Sequence, residues 1–244
     1  MSAGPDGLVG AMPILWLDST FGTSPGSLDG ALDSIKDRFP RRYLCTNVSP
    51  NRPAWSSNAF RGKPSVYFEV LGVSADYLQM GEKVRLRKGC TIFMSYAFDP
   101  SLPGSTVAVT AGNVPMTIVG DTDPNFCMAF GFNAGDVAYS YKSPASPFVE
   151  TDSSALTLSD GNFHTVAVTH DGADGSVKLY ADGLLVKTAT RPFDSDYTGF
   201  DTIGMGNSLT DQWWGSMAEL LVWDNALDNR VISKLHSRAL GLWA

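Results

Sequence analysis

Short runs of β-branched and aromatic residues, each closed by Gly, Pro, Asp or Asn, recur along this chain with no helical pattern between them until its last stretch. The runs are Ser65–Val70, Cys90–Phe98, Ser105–Thr110, Met116–Val119, Phe126–Phe132, Val137–Tyr141, Phe163–His170, Ser176–Ala181, Leu184–Ala189, Thr202–Met205 and Trp214–Trp223. Together with Met12–Leu17 they predict about a dozen strands. Evenly punctuated short strands without intervening helices indicate an all-β, antiparallel sandwich or barrel rather than a parallel α/β sheet. Asp182-Gly183 between two such runs predicts a two-residue type I′ hairpin, because that turn needs positive φ at both positions. After Asp228, a predicted N-cap, Val231, Ile232, Leu235 and Ala239 recur at helical spacing with Gly241 as a stop, so one short C-terminal helix should lie against the sheets. Residues 19–34 read as a loop and 35–62 as irregular connections. Residues 1–11 read as an N-terminal arm, and 12–244 as one domain.

A chain of 244 residues, 43% hydrophobic and 18% charged, buries a sizeable core, which excludes disorder. No apolar run approaches the roughly 20 residues that span a bilayer, and no membrane partner is expected. The opening Met-Ser-Ala-Gly-Pro-Asp-Gly shows no export signal. Cys45, Cys90 and Cys127 lie far apart without metal-type spacing and read as free thiols. The net charge of −7 argues against nucleic acid as a partner. Between Lys36 and Lys88, however, eleven Lys/Arg face four acidic residues, a net of +7 that leaves −14 for the remainder. Such an asymmetry fits scattered surface charge or a basic segment that faces an acidic partner.

Asp160-Gly-Asn-Phe-His-Thr-Val-Ala-Val-Thr-His, the Leu-Tyr-Ala-Asp-Gly hairpin, Thr202-Ile-Gly-Met-Gly-Asn and Trp214-Gly-Ser-Met-Ala-Glu-Leu-Leu-Val-Trp follow one another in an order that resembles laminin-G-like domains of the concanavalin A-like lectin/glucanase superfamily. Leu15-Trp-Leu-Asp18 and Gly62-Lys-Pro-Ser-Val-Tyr-Phe68 are similar to the opening of such domains in bacterial and phage proteins. The resemblance implies a two-sheet antiparallel jelly-roll β-sandwich with a short terminal helix. It does not fix a function, since the architecture hosts lectins, glycosidases and inert modules.

Catalysis finds little support in the residues. Glycosidases need two carboxylates flanking the scissile bond, and the Glu-x-Asp-x-x-Glu strand of the superfamily's glucanases is missing from a chain with only four glutamates. The three histidines accompany no Gly-x-Ser-x-Gly elbow. His164 reads as a hydrogen-bonded strand residue, and Glu219 as structural by the resemblance. No enzyme is expected. Asp121-Thr-Asp-Pro-Asn125 alternates oxygen ligands but fails as an EF-hand loop, and Asp171-Gly-Ala-Asp-Gly reads as a hairpin loop. No cofactor is assigned, and calcium stays open.

Sugar binding would use an exposed aromatic beside amide or carboxylate groups. Asn207, Asp211, Gln212 and Trp213 form the candidate loop: the resemblance implies that Trp214 is buried, which leaves Trp213 pointing outward, where it either receives a glycan or packs beneath a loop or subunit. For a protein partner the candidates are Arg38, Arg41 and Arg42 of the basic segment, with Leu221 and Trp223 of a strand that is apolar on both faces and so requires cover from the terminal helix or a neighbouring subunit. Two functions follow as expectations. One is a homo-oligomeric attachment module on a phage virion, assembled in the host cytoplasm as a capsid decoration or tail-fibre component with capsid or fibre subunits as partners. The alternative is a glycan-binding lectin or receptor-binding module.

Overall fold

A computed structural model describes residues 12–21, 23–25, 30–38, 44–47, 52–60, 62–71, 74–97, 116–122, 128–133, 136–143, 146–152, 158, 160–196, 198–205 and 213–244. In chain order the strands are β1 (Leu15–Asp18), β2 (Ser24–Pro25), β3 (Gly30–Lys36), β4 (Leu44–Asn47), β5 (Ala54–Phe60), β6 (Lys63–Phe68), β7 (Val70–Leu71), β8 (Ser74–Ala75), β9 (Leu78–Arg85), β10 (Gly89–Ala97), β11 (Met116–Gly120), β12 (Met128–Asn133), β13 (Asp136–Ser143), β14 (Ser146–Asp152), β15 (Phe163–Asp171), β16 (Ser176–Ala181), β17 (Leu184–Thr190), β18 (Gly199–Ile203) and β19 (Gly215–Trp223). One helix, α1 (Asn229–Trp243), follows. The arm 1–11, the run Ser105–Thr110 and Cys127 lie outside the described residues.

Every pairing is antiparallel; β7 and β8 pair only with each other, and the remaining strands divide into two sheets. The first runs β17-β16-β15-β10-β19, and the far side of β19 is shared by β1, along residues 219–222, and β6, along 215–217, with β5 beyond. The second runs β14-β13-β12-β11-β18-β9-β4-β3-β2. β3 belongs to both, pairing Gly30 and Ala31 with β5 and Ser34–Lys36 with β4. This is the expected two-sheet sandwich with its terminal helix. Leu15, Ile92, Met94, Val168 and Val222 of the first sheet meet Ile35, Met80, Val84, Phe130 and Phe200 of the second in one buried core. A second apolar layer lies on the other side of the first sheet, where Trp16, Phe93, Tyr180, Leu221 and Trp223 pack against Ile232, Leu235, Ala239 and Trp243 of α1.

Local signals place the hairpin and the helix. Asp182 and Gly183 have φ of +47° and +74°, and Ala181 pairs with Leu184 across the turn. Asp228 caps α1, its Oδ1 accepting from Arg230 N at 2.8 Å and Val231 N at 3.0 Å. The helix runs past the expected stop at Gly241 to Trp243, because the buried Trp243 side chain extends its apolar stripe by one more turn.

Where tertiary contacts decide, the structure departs from the sequence reading. The supposed loop and irregular connections of residues 19–62 contain β2, β3, β4 and β5, and β9 and β14 are further strands that the residue pattern does not announce. In β9 the buried Leu78, Met80 and Val84 keep one phase, but exposed Glu82 interrupts it in the stretch between Gln79 and Val84 that bulges against β18, which hides the period of two. β14 carries Pro147 and pairs only with β13 among the described strands, an edge position where proline is tolerated. No described helix is long and apolar enough to cross a membrane.

Candidate functional site

Three surfaces of the sandwich are available for function, and packing closes the first. α1 covers the outer face of the first sheet, so Leu221 and Trp223, expected to meet a partner, are buried beneath the chain's own helix. That corrects their assignment as partner-binding residues: the strand apolar on both faces receives its second cover from within. Asp18 and Glu219 are direct cross-strand neighbours there. Arg238 Nη1 donates to Glu219 Oε2 at 2.7 Å, Trp16 Nε1 donates to Glu219 Oε1 at 2.7 Å, and Arg38 Nη1 reaches Asp18 Oδ2 at 2.7 Å. The Arg38 guanidinium stands 4.6 Å from the Trp16 ring centroid and 5.1 Å from that of Phe21. Burial pushes the Glu219 carboxyl above its usual range, against the pull of Arg238. Arg38 thus sits in an intramolecular cation–π stack; Arg41 and Arg42 lie outside the described residues.

The second surface is the end of the sandwich where β10 finishes and β15 and β19 begin. Trp213 is fully buried there, its ring centroid 5.1 Å from Phe68 and 6.4 Å from Tyr96. It therefore cannot cover a sugar ring, which corrects the expectation of an outward Trp213, and the half-buried residue is Trp214. The physical reason is a bulge. Ser95 pairs with Glu219 and Tyr96 with Met217, so Ala218 is unmatched and shifts the phase of β19 by one residue. Asn207, Asp211 and Gln212 lie outside the described residues.

His164 organises the same end. Its Nδ1 faces Asp182 Oδ2 at 2.8 Å and its Nε2 faces Asp160 Oδ1 at 2.9 Å. Carboxylates only accept, so both ring nitrogens must donate, which is the imidazolium form. Asp182 first, and Asp160 after it, raise the His164 pKa above 6.5 against the effect of burial. The partners respond: His164 and the Thr165 amide hold the Asp182 carboxyl below its usual range, and Asn162 first, with His164 after it, holds that of Asp160 at about 2. The reading of His164 as a hydrogen-bonded strand residue stands. His170 is the opposite case, buried with Nδ1 3.1 Å from Tyr139 OH and Nε2 3.0 Å from Arg191 O, and burial lowers its pKa.

These shifts predict opposed pH dependences. A raised folded-state pKa means that His164 contributes stability below 6.5, and the contribution is lost as pH rises through its folded value. For His170 stability is lost as pH falls from 6.5 toward its lowered value. Imidazole NMR titration should place His164 above 6.5 and His170 below it, with Asp182→Asn moving His164 downward more than Asp160→Asn does. A His164 that titrates below 6.5 in the intact chain contradicts the imidazolium assignment.

The third surface is the outer side of the second sheet around β4, β9 and β18, where no described helix or strand is stacked. Side chains distant in sequence meet on it. Gln79 Nε2 donates to Asp201 O at 3.2 Å. Thr122 donates to the Asp201 carboxylate twice, from N to Oδ1 at 2.9 Å and from Oγ1 to Oδ2 at 2.6 Å. Lys83 Nζ pairs with Asp121 Oδ2 at 2.5 Å, and exposed Thr46 stands opposite Gln79 in the β4–β9 ladder. The result is a strip of amide, hydroxyl, carboxylate and ammonium groups in two sets, Asp201 held by Thr122 and Gln79, and Lys83 held by Asp121, whose side chain is buried. Sequence reasoning misses it because β9 carries no clean strand period, and because the strip's members come from three separate stretches of chain.

Among the described residues, no three His, Cys, Asp or Glu side chains are grouped to hold a metal ion. Asp121 is committed to Lys83, while Asp171 and Asp174 cap their own hairpin loop by accepting from Ala173 N at 2.8 Å and Ser176 N at 2.7 Å. Cys45 and Cys90 are free and buried, and burial pushes the Cys90 thiol up to about 12.

The model of a laminin-G-like family described as Concanavalin A-like lectin/glucanases superfamily matches residues 102–233, more than half of the chain. The chain belongs to this family. No curated protein matches it in sequence. Among solved structures, the receptor-binding domain of botulinum neurotoxin D shares the fold at 11% identity with a TM-score of 0.61, over 93% of this chain and 52% of that one. A second solved structure, "Cell entry of botulinum neurotoxin type C is dependent upon interaction with two ganglioside molecules", is similar at 12% identity and a TM-score of 0.62, over 89% of this chain and 51% of that one. This chain thus spans about half the length of the neurotoxin chains it matches. The Ruminococcus gnavus IT-sialidase CBM40 is similar at 22% identity and a TM-score of 0.48, over 62% of this chain and 84% of that one.

Proposed function

We propose that this chain is a non-catalytic glycan-binding module whose sugar site is the polar strip of Gln79, Lys83, Thr122 and Asp201, with the buried Asp121 holding Lys83 from beneath. The observation that carries the reading is that Asp201 is held by Thr122 and Gln79, and Lys83 by the buried Asp121, on a sheet face that no described helix covers. Sugar hydroxyls are recognised by donors and acceptors already fixed in place, since side chains that are ordered before binding lose little entropy on binding. Each Asp201 carboxylate oxygen keeps lone-pair capacity beyond the bond it accepts from Thr122. The family supports the reading, because it includes lectins alongside glucanases. Hydrolysis is disfavoured by the position of the adjacent carboxylates: Asp18 and Glu219 are buried and each is bonded to an arginine. Neither is placed to protonate a leaving group or attack a sugar.

A glycan array, followed by calorimetry on the oligosaccharide that binds, tests this. Asp201→Ala should weaken binding roughly tenfold or more with the melting temperature nearly unchanged, since a good polar contact at a site contributes on the order of 1.4 kcal/mol or more. Retention of no glycan, or undiminished binding by Asp201→Ala and Gln79→Ala, removes the strip as the site.

A further inference from the structure

Phe21 is the one aromatic ring among the large apolar side chains that stand exposed in the described residues, at 41%. A turn puts it there. Phe21 N donates to Asp18 O at 2.9 Å, and Asp18 Oδ1 accepts from Thr20 N at 2.8 Å and from Thr20 Oγ1 at 2.6 Å, the local side-chain bonding by which aspartate opens a turn. Arg38 reaches the ring from beyond the end of β3, its backbone N bonded to Trp16 O at 2.9 Å. The guanidinium is therefore fixed by its own backbone, by Asp18 and by the two rings it stands over. Its donors are mostly unused. Of the five N–H groups in the guanidinium plane, one on Nη1 goes to Asp18 Oδ2, the others bond to no described residue, and the side chain is 34% exposed. Charge behind it is balanced in pairs, Asp18 with Arg38 and Glu219 with Arg238.

We infer that Arg38 and Phe21 form a binding site for a small aromatic carboxylate, its acid group on the open edge of the Arg38 guanidinium and its ring on Phe21. A planar carboxylate matches two parallel guanidinium N–H groups, and a cation already held in place loses little freedom when it binds. The Asp18 charge beside the site tolerates a monoanion better than the second charge of a phosphate. Phe21 adds the apolar contact, since aromatic rings attract one another in offset or edge-to-face arrangements beyond the area they bury. This turns Arg38 from the protein partner expected of the basic segment toward a small acid. The site shares no residue with the sugar strip.

NMR titration of the isotope-labelled chain with benzoate, read at the Arg38 Nε–H and Trp16 indole signals, tests it. Benzoate should shift both signals and bind about tenfold more tightly than benzamide, which lacks the charge, or inorganic phosphate, and roughly fivefold more tightly than acetate, which lacks the ring. Phe21→Ser, at an exposed position, should weaken benzoate roughly fivefold at an unchanged melting temperature, and Arg38→Lys, which keeps the charge without the parallel donors, should weaken it about tenfold. The proposal is overturned if benzamide binds as tightly as benzoate, if the Arg38 and Trp16 signals stay still, or if Phe21→Ser keeps the full benzoate affinity. Equal affinity for acetate overturns it as well, because the ring then contributes nothing. None of the probes is a glycan, so these outcomes leave the sugar site untouched.

Discussion

Arg238→Met should destabilise the chain by about 3–5 kcal/mol at neutral pH, the range found when one partner of a buried ion pair is removed and the other is left uncompensated. Glu219 is fully buried, and Arg238 supplies one of its two hydrogen bonds at 2.7 Å, the other coming from Trp16. The loss should depend on pH in a definite sense. Burial already raises the Glu219 pKa, and without the cation it rises further, so the carboxyl is costly in the folded state above that value and neutral below it. The deficit relative to wild type therefore shrinks as pH falls. Arg238→Met/Glu219→Gln should recover most of the stability, because the amide oxygen of a glutamine there still accepts from the Trp16 indole. Urea melts at two pH values check both points. A double variant as unstable as Arg238→Met places the loss in the packing of the arginine stem, not in its charge.

The second large effect belongs to the hairpin. Gly183→Val should cost on the order of 2–4 kcal/mol, from two sources. At φ +74° a β-branched residue is strained, and a Cβ built at residue 183 lies 2.9 Å from His236 Cβ and 3.0 Å from His236 Cγ. The two sources are separable. Gly183→Ala keeps the close approach with less backbone strain than valine, and adding His236→Ala should relieve part of its cost. Thermal or urea melts of the four-membered cycle measure that coupling. If the coupling is zero, the imidazole ring contributes nothing and the cost lies in backbone conformation and in the remaining approach to the Cβ of residue 236.

What the sequence makes legible is local. The Asp182-Gly183 turn and the Asp228 cap are each written in adjacent residues, and the β-branched and aromatic runs of β10 and β15 are uninterrupted. Pairings that depend on irregularity are not legible. The Ala218 bulge reverses which tryptophan of the 213–214 pair faces inward, and β9 loses its period where it bulges against β18. The polar strip is hidden for a further reason: Gln79, Thr122 and Asp201 become neighbours only through the β9–β18 and β18–β11 ladders, and each alone looks like an ordinary surface residue. Likewise, Leu220-Leu221-Val222-Trp223 announces that two covers are needed, and only the packing of α1 shows that the chain supplies the second itself.

The partnership of β1 with β19 also sets a timetable for synthesis. Trp16 and Glu219 are 203 residues apart, yet they are bonded across adjacent strands at the β19 side of the first sheet. At ribosomal rates of roughly 5–20 residues per second, Leu15 and Leu17 wait about 10–40 s before Val222 and Leu220 exist to receive them. During that interval the nascent chain holds an apolar segment with an open edge, and any nucleus formed from β10, β15 and β16 lacks its central neighbour. Ribosome-bound intermediates stalled before residue 215 should accordingly be protease-sensitive and recognised by chaperones, however complete the second sheet has become.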